Sequence, residues 1–252
     1  MKTAFLLLLL SPAWLYADWK VIQRRDSATS KGEATASELT VSDGANRAEV
    51  QLVYFTPTDV RFETVANLDG QIQGVQDAVD SHGGFGGING GYFEANLDPL
   101  GLLISNNKVV RPSKKAKLLS GIFFVRNGRP ELTRTPEFPG TKGVQQAIQC
   151  GPFLVDGGRV VPGLNDLRAA PRTFVFSCGA SLWGFGICRS VTLKEAGEIL
   201  AHAKVILGHP IIRALNFDGG SSTAFYVKLG DREIFSEGRS VVSNYLIVQP
   251  KN

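Results

Sequence analysis

Residues 213–227, RALNFDGGSSTAFYV, place one acid in a corner of small residues, hydroxyls and an amide. Asp218 follows the apolar run IIRALNF, which reads as a buried strand. Gly219 and Gly220 let the backbone turn and expose its N–H groups, while Asn216, Ser222 and Thr223 add side-chain donors and acceptors. Such a corner suits an oxyanion or phosphate held beside a carboxylate. Asp218 would emerge at the carboxyl end of its strand, where ligands gather in open α/β sheets. An ordinary Asp-Gly-Gly turn is the simpler reading of those three residues alone.

Three other stretches could complete a site. In GGFGGINGGYFEANLDPLGLLI (83–104) there is neither a GxxxxGK nor a GxGxxG between strand and helix, which argues against a nucleotide loop. It reads as a short buried strand ending at Asn89, whose amide suits a sugar hydroxyl or a phosphoryl oxygen. Gly90 and Gly91 would let the backbone approach a ligand or a packed neighbour closely. Glu94 and Asp98 follow on a loop. In IQCGPFLVDGGRVV (148–161), Gly151-Pro152 is a rigid turn into a strand, and Asp156-Gly157-Gly158 is a hairpin turn. In AAPRTFVF (169–176), Arg172 stands at the mouth of an apolar strand, followed by Thr173. That arginine would either pair with a carboxylate at the core edge or offer its fork to an anionic oxygen.

Familiar catalytic sets are missing. His82 and His209 stand at the ends of helical patterns and His202 inside one, so no Ser-His-Asp triad suggests itself. No HxH or HxxxH occurs, and the reading is of no metal and no cofactor. The alternative is a hard divalent cation on the oxygens of Asp218 with Glu94 or Asp98.

The elements that must position these residues are mostly strands. DWKVIQRRDS, AEVQLVYFTP and DVRFETVA alternate and are rich in β-branched and aromatic residues. Many short strands follow, from GLLIS to NYLIV. Two helices interrupt them, one within 70–84 and one across 192–209. The second opens on a Thr192/Glu195 capping box and carries the stripe Leu193, Ala196, Leu200, Ala203 and Leu207. The pattern predicts an α+β (mixed α/β) class: one strand-rich domain, 18–252, with two helices packed on mixed sheets.

The first 17 of the 252 residues read as a secretory signal: Lys2, an apolar core from Ala4 to Leu10, Pro12, and cleavage near Ala17. Export places the protein in the periplasm or outside the cell, with no transmembrane span in the mature chain. Removal of Lys2 leaves 26 basic against 23 acidic residues, a net +3, too mild to argue for nucleic acid. RPSKKAK (111–117) is the one basic cluster and reads as a solvated loop. The three cysteines form no zinc or redox motif. A hairpin centred on Trp183 would set Cys178 opposite Cys188 for a disulfide, and a bulge in its glycine-rich arms would break that register. The pairing therefore stays open, as does the oligomeric state.

INGGYFEANLDPLGLLISNNKVVRP, QCGPFLVDGGRV, APRT and ALNFDGGSSTAFYV occur in the order found in the phosphodiester glycosidase family, which the chain resembles over about residues 83–250. That family includes many exported bacterial proteins. Ser221 stands where many members have a glycine, and Thr223 where they have a serine. The resemblance implies a hydrolase that cleaves the glycosidic bond of a sugar-1-phosphodiester, here in a cell-envelope or extracellular glycan. It points to Asp218, Arg172 and Asn89 as catalytic and to Gly90, Gly91, Gly151, Pro152, Thr173, Asn216, Gly219, Gly220, Ser222 and Thr223 as substrate-binding, with Glu94 on the less regular stretch after Phe93. Asp218 would be base or nucleophile, Arg172 and the Gly219–Gly220 backbone would hold the departing phosphate, and Asn89 would orient a sugar hydroxyl or acetamido group. A non-catalytic glycan- or phosphoglycan-binding module, and a phosphodiesterase cutting P–O, are the competing readings.

Overall fold

Alternating apolar residues without long helical stretches force this chain to close its core with sheets. The computed structural model describes residues 18–29 and 34–251; the segment read as a signal lies outside them. Among the described residues the strands are β1 (Lys20–Ala28), β2 (Ala34–Ser42), β3 (Arg47–Phe55), β4 (Val60–Ala66), β5 (Gly86–Asn89), β6 (Leu103–Ser105), β7 (Lys108–Arg111), β8 (Gly121–Arg126), β9 (Arg129–Arg134), β10 (Val144–Cys150), β11 (Phe153–Asp156), β12 (Arg159–Val160), β13 (Ala170–Ser177), β14 (Trp183–Val191), β15 (Arg213–Asn216), β16 (Phe225–Leu229), β17 (Arg232–Ser236) and β18 (Asn244–Pro250). The α-helices are α1 (Val75–Ser81) and α2 (Leu193–His202), and single 3₁₀ turns stand at Thr135–Glu137 and Gly220–Ser222.

The strands form an eight-stranded sheet, β1-β2-β3-β14-β13-β15-β11-β12, and two five-stranded sheets, β7-β6-β10-β8-β9 and β17-β16-β5-β18-β4. Every pairing among the described residues is antiparallel, so the expected mixed sheets are corrected. Parallel pairs need long crossovers, usually helical, and two helices of 7 and 10 residues supply few. Among the described residues strand makes up 48% and helix 10%, so the fold is mostly β and the α+β label fits only roughly.

One core cluster draws on all three sheets, including Phe55, Phe62, Phe123, Phe153, Phe185 and Phe225. Its rings meet edge to face, as at Phe55–Phe185 and Phe185–Phe225, both 6.1 Å between centroids. A second cluster lies between the eight-stranded sheet and α2, and a third beneath α1. The capping box forms: Glu195 N donates to Thr192 Oγ1 at 3.1 Å, and Thr192 N to Glu195 Oε2 at 2.7 Å. α2 stops at His202, short of the expected 209. Lys204 turns to φ +52°, which leaves Leu207 62% exposed instead of on the buried stripe.

The hairpin β13–β14 settles the cysteines. Its turn lies at 178–182, ahead of Trp183, with Cys178 N donating to the Leu182 carbonyl at 2.8 Å. Ser177 pairs with Trp183, and Cys188 sits opposite Arg172. Cys178 and Cys188 are thus separated by about 20 Å along the ribbon, beyond the reach of roughly 7 Å that a disulfide spans. All three cysteines are free thiols, and burial raises each pKa, that of Cys178 to about 12. Thiol titration of protein denatured without reductant is expected to find all three; finding one would restore the bridge.

Candidate functional site

The chain leaves the eight-stranded sheet after β15 and enters a five-stranded sheet at β16, and the corner 217–224 makes that crossing. Asp218 therefore does not stand at the carboxyl edge of a parallel sheet, as expected from the sequence. It stands at a bend clamped between two antiparallel sheets. Phe217 N donates to the Thr173 carbonyl at 2.8 Å, and Asp218 N to the Gly90 carbonyl at 3.1 Å. Asn89 Nδ2 donates back to the Asp218 carbonyl at 2.8 Å.

Asn89 is fully buried and its amide is fully engaged. Its Oδ1 accepts from Thr173 Oγ1 at 2.7 Å and from Ala224 N at 3.0 Å. One side chain thus joins β5, β13 and both ends of the corner. The expectation that Asn89 orients a sugar group is corrected: the side chain has no free polar atom to offer. Thr173, also fully buried, is spent on the same bond.

Gly90 and Gly91 approach a packed neighbour. A Cβ on Gly90 would collide with Asn244 Oδ1. Gly90 N donates to the Asn244 carbonyl and Gly91 N to Asn244 Oδ1, both at 2.8 Å. Sequence reasoning missed Asn244, whose only signal was a polar residue heading the apolar strand NYLIV.

A second wall comes from the turn before β11. The Gly151 carbonyl accepts from Tyr92 Oη at 2.7 Å and from Asn216 Nδ2 at 3.0 Å. Asn216 N donates to the Pro152 carbonyl at 3.0 Å, and Asn216 Nδ2 also reaches Tyr92 Oη at 3.2 Å. Tyr92 was missed as well, although it directly follows the Asn-Gly-Gly motif. Burial, then the negative potential of Cys150 and Asp218, pushes its pKa far above the ordinary phenol range. The hydroxyl stays protonated and serves as a donor.

The Asp218 carboxylate is partly buried. Its Oδ1 accepts from Gly219 N at 2.9 Å, and the Ser222 hydroxyl also bonds to it. Burial nevertheless outweighs both bonds and raises its pKa above the ordinary value. Arg172 packs against the following residue: a Cβ on Gly219 would stand 2.8 Å from the Pro171 carbonyl and 3.8 Å from Arg172 Cδ. The core-edge ion pair considered for Arg172 does not form, since the side chain has no carboxylate partner among the described residues. Its Nε donates to the Val191 carbonyl at 3.1 Å and Nη2 to the Arg168 carbonyl at 2.6 Å. Burial lowers its pKa, yet a guanidinium this far above neutrality keeps its charge.

Two buried side-chain atoms beside the acid lack partners: Asn216 Oδ1 and Thr223 Oγ1. Buried polar atoms of this kind call for a ligand or a water. Glu94 is not drawn into the corner. It is exposed and closes a turn with Asp98, whose carboxylate pairs with Arg111 at 3.7 Å. Among the described residues no group of three His, Cys, Asp or Glu side chains could hold a metal. The three histidines stay away from the corner, and Asp156-Gly157-Gly158 forms the expected hairpin turn between β11 and β12.

Fold and corner together define a β-sheet protein with a polar, partly charged site at a sheet-to-sheet crossing. The phosphodiester glycosidase family model matches residues 82–249, well over half of the chain, and the chain belongs to that family of hydrolases. Its fold is similar to the zebrafish N-acetylglucosamine-1-phosphodiester alpha-N-acetylglucosaminidase catalytic domain, solved auto-inhibited by its pro-peptide. The TM-score is 0.63 at 15% identity, covering 91% of this chain and 89% of that one. A hypothetical protein from Synechocystis is similar at TM-score 0.57 and 17% identity, covering 87% and 62%. The uncharacterized protein YigE of Escherichia coli K12 is 28% identical over 92 residues, 31% of this chain and 34% of that protein. The chain thus matches about a third of the length of this curated relative.

Proposed function

We propose that the protein is an exported glycosidase that hydrolyses the glycosidic bond of a sugar-1-phosphodiester in an envelope or extracellular glycan. The observation that carries this reading is the clamped corner: a partly buried carboxylate of raised pKa, with the Arg172 side chain packed beside the next residue, Gly219, inside the segment that the family model matches. The zebrafish fold relative is named for cleaving a sugar-1-phosphodiester, and this chemistry fits the corner. Asp218 acts on the anomeric carbon as base or nucleophile. Arg172 and the N–H groups around Gly219–Gly220 stabilise the departing phosphate. The C1–O bond to phosphate breaks and a C1–OH bond forms from water. A phosphate monoester leaves as a weak base, so a second carboxylic acid is not required. Residues 1–17 direct export, and the mature domain is 18–252. No helix among the described residues is long and apolar enough to cross a membrane.

A non-catalytic glycan-binding module is the second reading, since the same polar corner could hold a glycan without turning it over. Hydrolysis of a synthetic N-acetylglucosaminyl methyl phosphodiester in ¹⁸O-water separates the cases. The proposed activity labels the sugar. Label in the phosphate would make the protein a phosphodiesterase, and binding without turnover across a panel of sugars would make it a module.

A further inference from the structure

Beside the corner opens a groove of about 320 Å³ that shares Gly220, Ser221 and Thr223 with it. Two arginines line it. Arg189 on β14 donates through Nη2 to Ser236 Oγ at 2.6 Å, and its nearest carboxylate, the exposed Glu49, lies 3.8 Å away. Arg239 is exposed, and its guanidinium has no partner among the described residues. Its backbone N–H donates to the Ser221 carbonyl at 2.7 Å, which fixes the loop against the corner. Glu237 is the one acid in the lining. The groove also holds Thr223, only 7% exposed, whose Oγ1 has no hydrogen-bond partner. Ser236, by contrast, has no proton to offer an anion, since it donates to Gln51 Oε1 at 2.5 Å and accepts from Arg189. Arg239, whose guanidinium is unpaired among the described residues, and Arg189, whose carboxylate contact is a long one to the exposed Glu49 outside the lining, flank an unused buried hydroxyl and make a site for an oxyanion with several acceptor oxygens.

We propose that this groove binds a phosphate-class oxyanion carried by the leaving half of the substrate, beyond the bond at Asp218. It rests on the glycosidase reading for the identity of that substrate and narrows it to phosphodiesters whose leaving half bears a second negative group. The groove's affinity for the anion does not depend on turnover.

The test titrates the full chain with inorganic phosphate at low salt, followed by calorimetry. Saturable binding is expected, weakened about tenfold by Arg239→Met, the loss of one charge-assisted contact. Glu237→Gln should tighten it several-fold by removing a like charge, a change of opposite sign that a folding defect would not produce. Asp218→Asn separates this groove from the scissile position: phosphate bound against Asp218 itself would tighten markedly on that substitution, and phosphate in the groove would not. Absence of saturable binding, or equal affinity in Arg239→Met, Glu237→Gln and the wild type, overturns the proposal. A kinetic arm compares sugar-1-phosphodiesters with a methyl and with a glycerol phosphate leaving half. Wild type should prefer the second, and Arg239→Met should lose that preference. Phosphate binding with these variant effects but no turnover would sink the glycosidase reading and leave the groove. Turnover without any preference would do the reverse.

Discussion

Asp218→Asn is expected to lower kcat on a sugar-1-phosphodiester by about 10²–10⁴, the usual range for a lost general base. Affinity for the substrate should be largely retained. The substitution suits the question because the corner survives it. The Asp218 backbone is clamped through its own N–H and carbonyl by Gly90 and Asn89. An asparagine Oδ1 can still accept from Gly219 N, as the aspartate does at 2.9 Å. Only the charge and the basicity go. Undiminished turnover in the purified variant would remove Asp218 from the chemistry.

The raised pKa of Asp218 has two further consequences, both following from burial. A base must be ionised, so the acid limb of the rate profile should lie above the ordinary carboxylate range and be absent from the residual activity of Asp218→Asn. For stability the sign is the opposite of that for a salt-bridged acid. The folded state binds this proton more tightly than the unfolded chain, so its contribution is complete below the unfolded pKa and is lost as pH rises through the folded one. At neutral pH the ionised carboxylate is thus a cost to folding that the asparagine lacks. The variant should melt higher than the wild type at pH 7, and the gap should close as pH falls into the ordinary carboxylate range. An active site that stores such a cost is common where chemistry needs a group out of its ordinary state.

Particular residues show how far the sequence was readable. Strand alternation located β3, β4 and most of the later strands, and Thr192 with Glu195 marked the start of α2. It did not reveal β2, whose inward positions include the small residues Ala34 and Ala36. Nor did it give the direction of pairing, a property of which strands meet rather than of any strand alone. At the site, motif order gathered Asn89, Thr173, Asn216 and Asp218 correctly into one place. It could not divide side chains facing solvent from those bonded inward, because that depends on partners far along the chain. Asn89 meets residues 84 and 135 positions away. Tyr92 and Asn244 went unnoticed for the same reason: Tyr92 meets Gly151 and Asn216 across the corner, and Asn244 meets Gly91, 153 positions away, just past the neighbouring strand of its own sheet.

Asn89→Ala should therefore act first on the fold. Deleting this side chain leaves the Thr173 hydroxyl, the Ala224 N–H and the Asp218 carbonyl without their partner, in a place with no exposed surface at Asn89. Each buried group left unsatisfied costs about 1–3 kcal/mol, and water entering the vacated space recovers part of that. A net loss of about 3–5 kcal/mol is expected, a large share of the stability of a domain this size, read as a lower urea midpoint. Asn89→Asp tests the same geometry from the other side. It keeps both acceptor bonds but replaces the donor that faces the Asp218 carbonyl with an oxygen, so two acceptors oppose each other. Its destabilisation should ease as the pH falls and the new carboxyl gains a proton to donate. Activity should fall in both variants through kcat, because the corner that carries Asp218 is no longer pinned to β5. A role confined to touching the sugar predicts a different pattern: wild-type urea midpoints, a raised KM and an unchanged kcat. That result would return Asn89 to the substrate and remove the clamp from the argument.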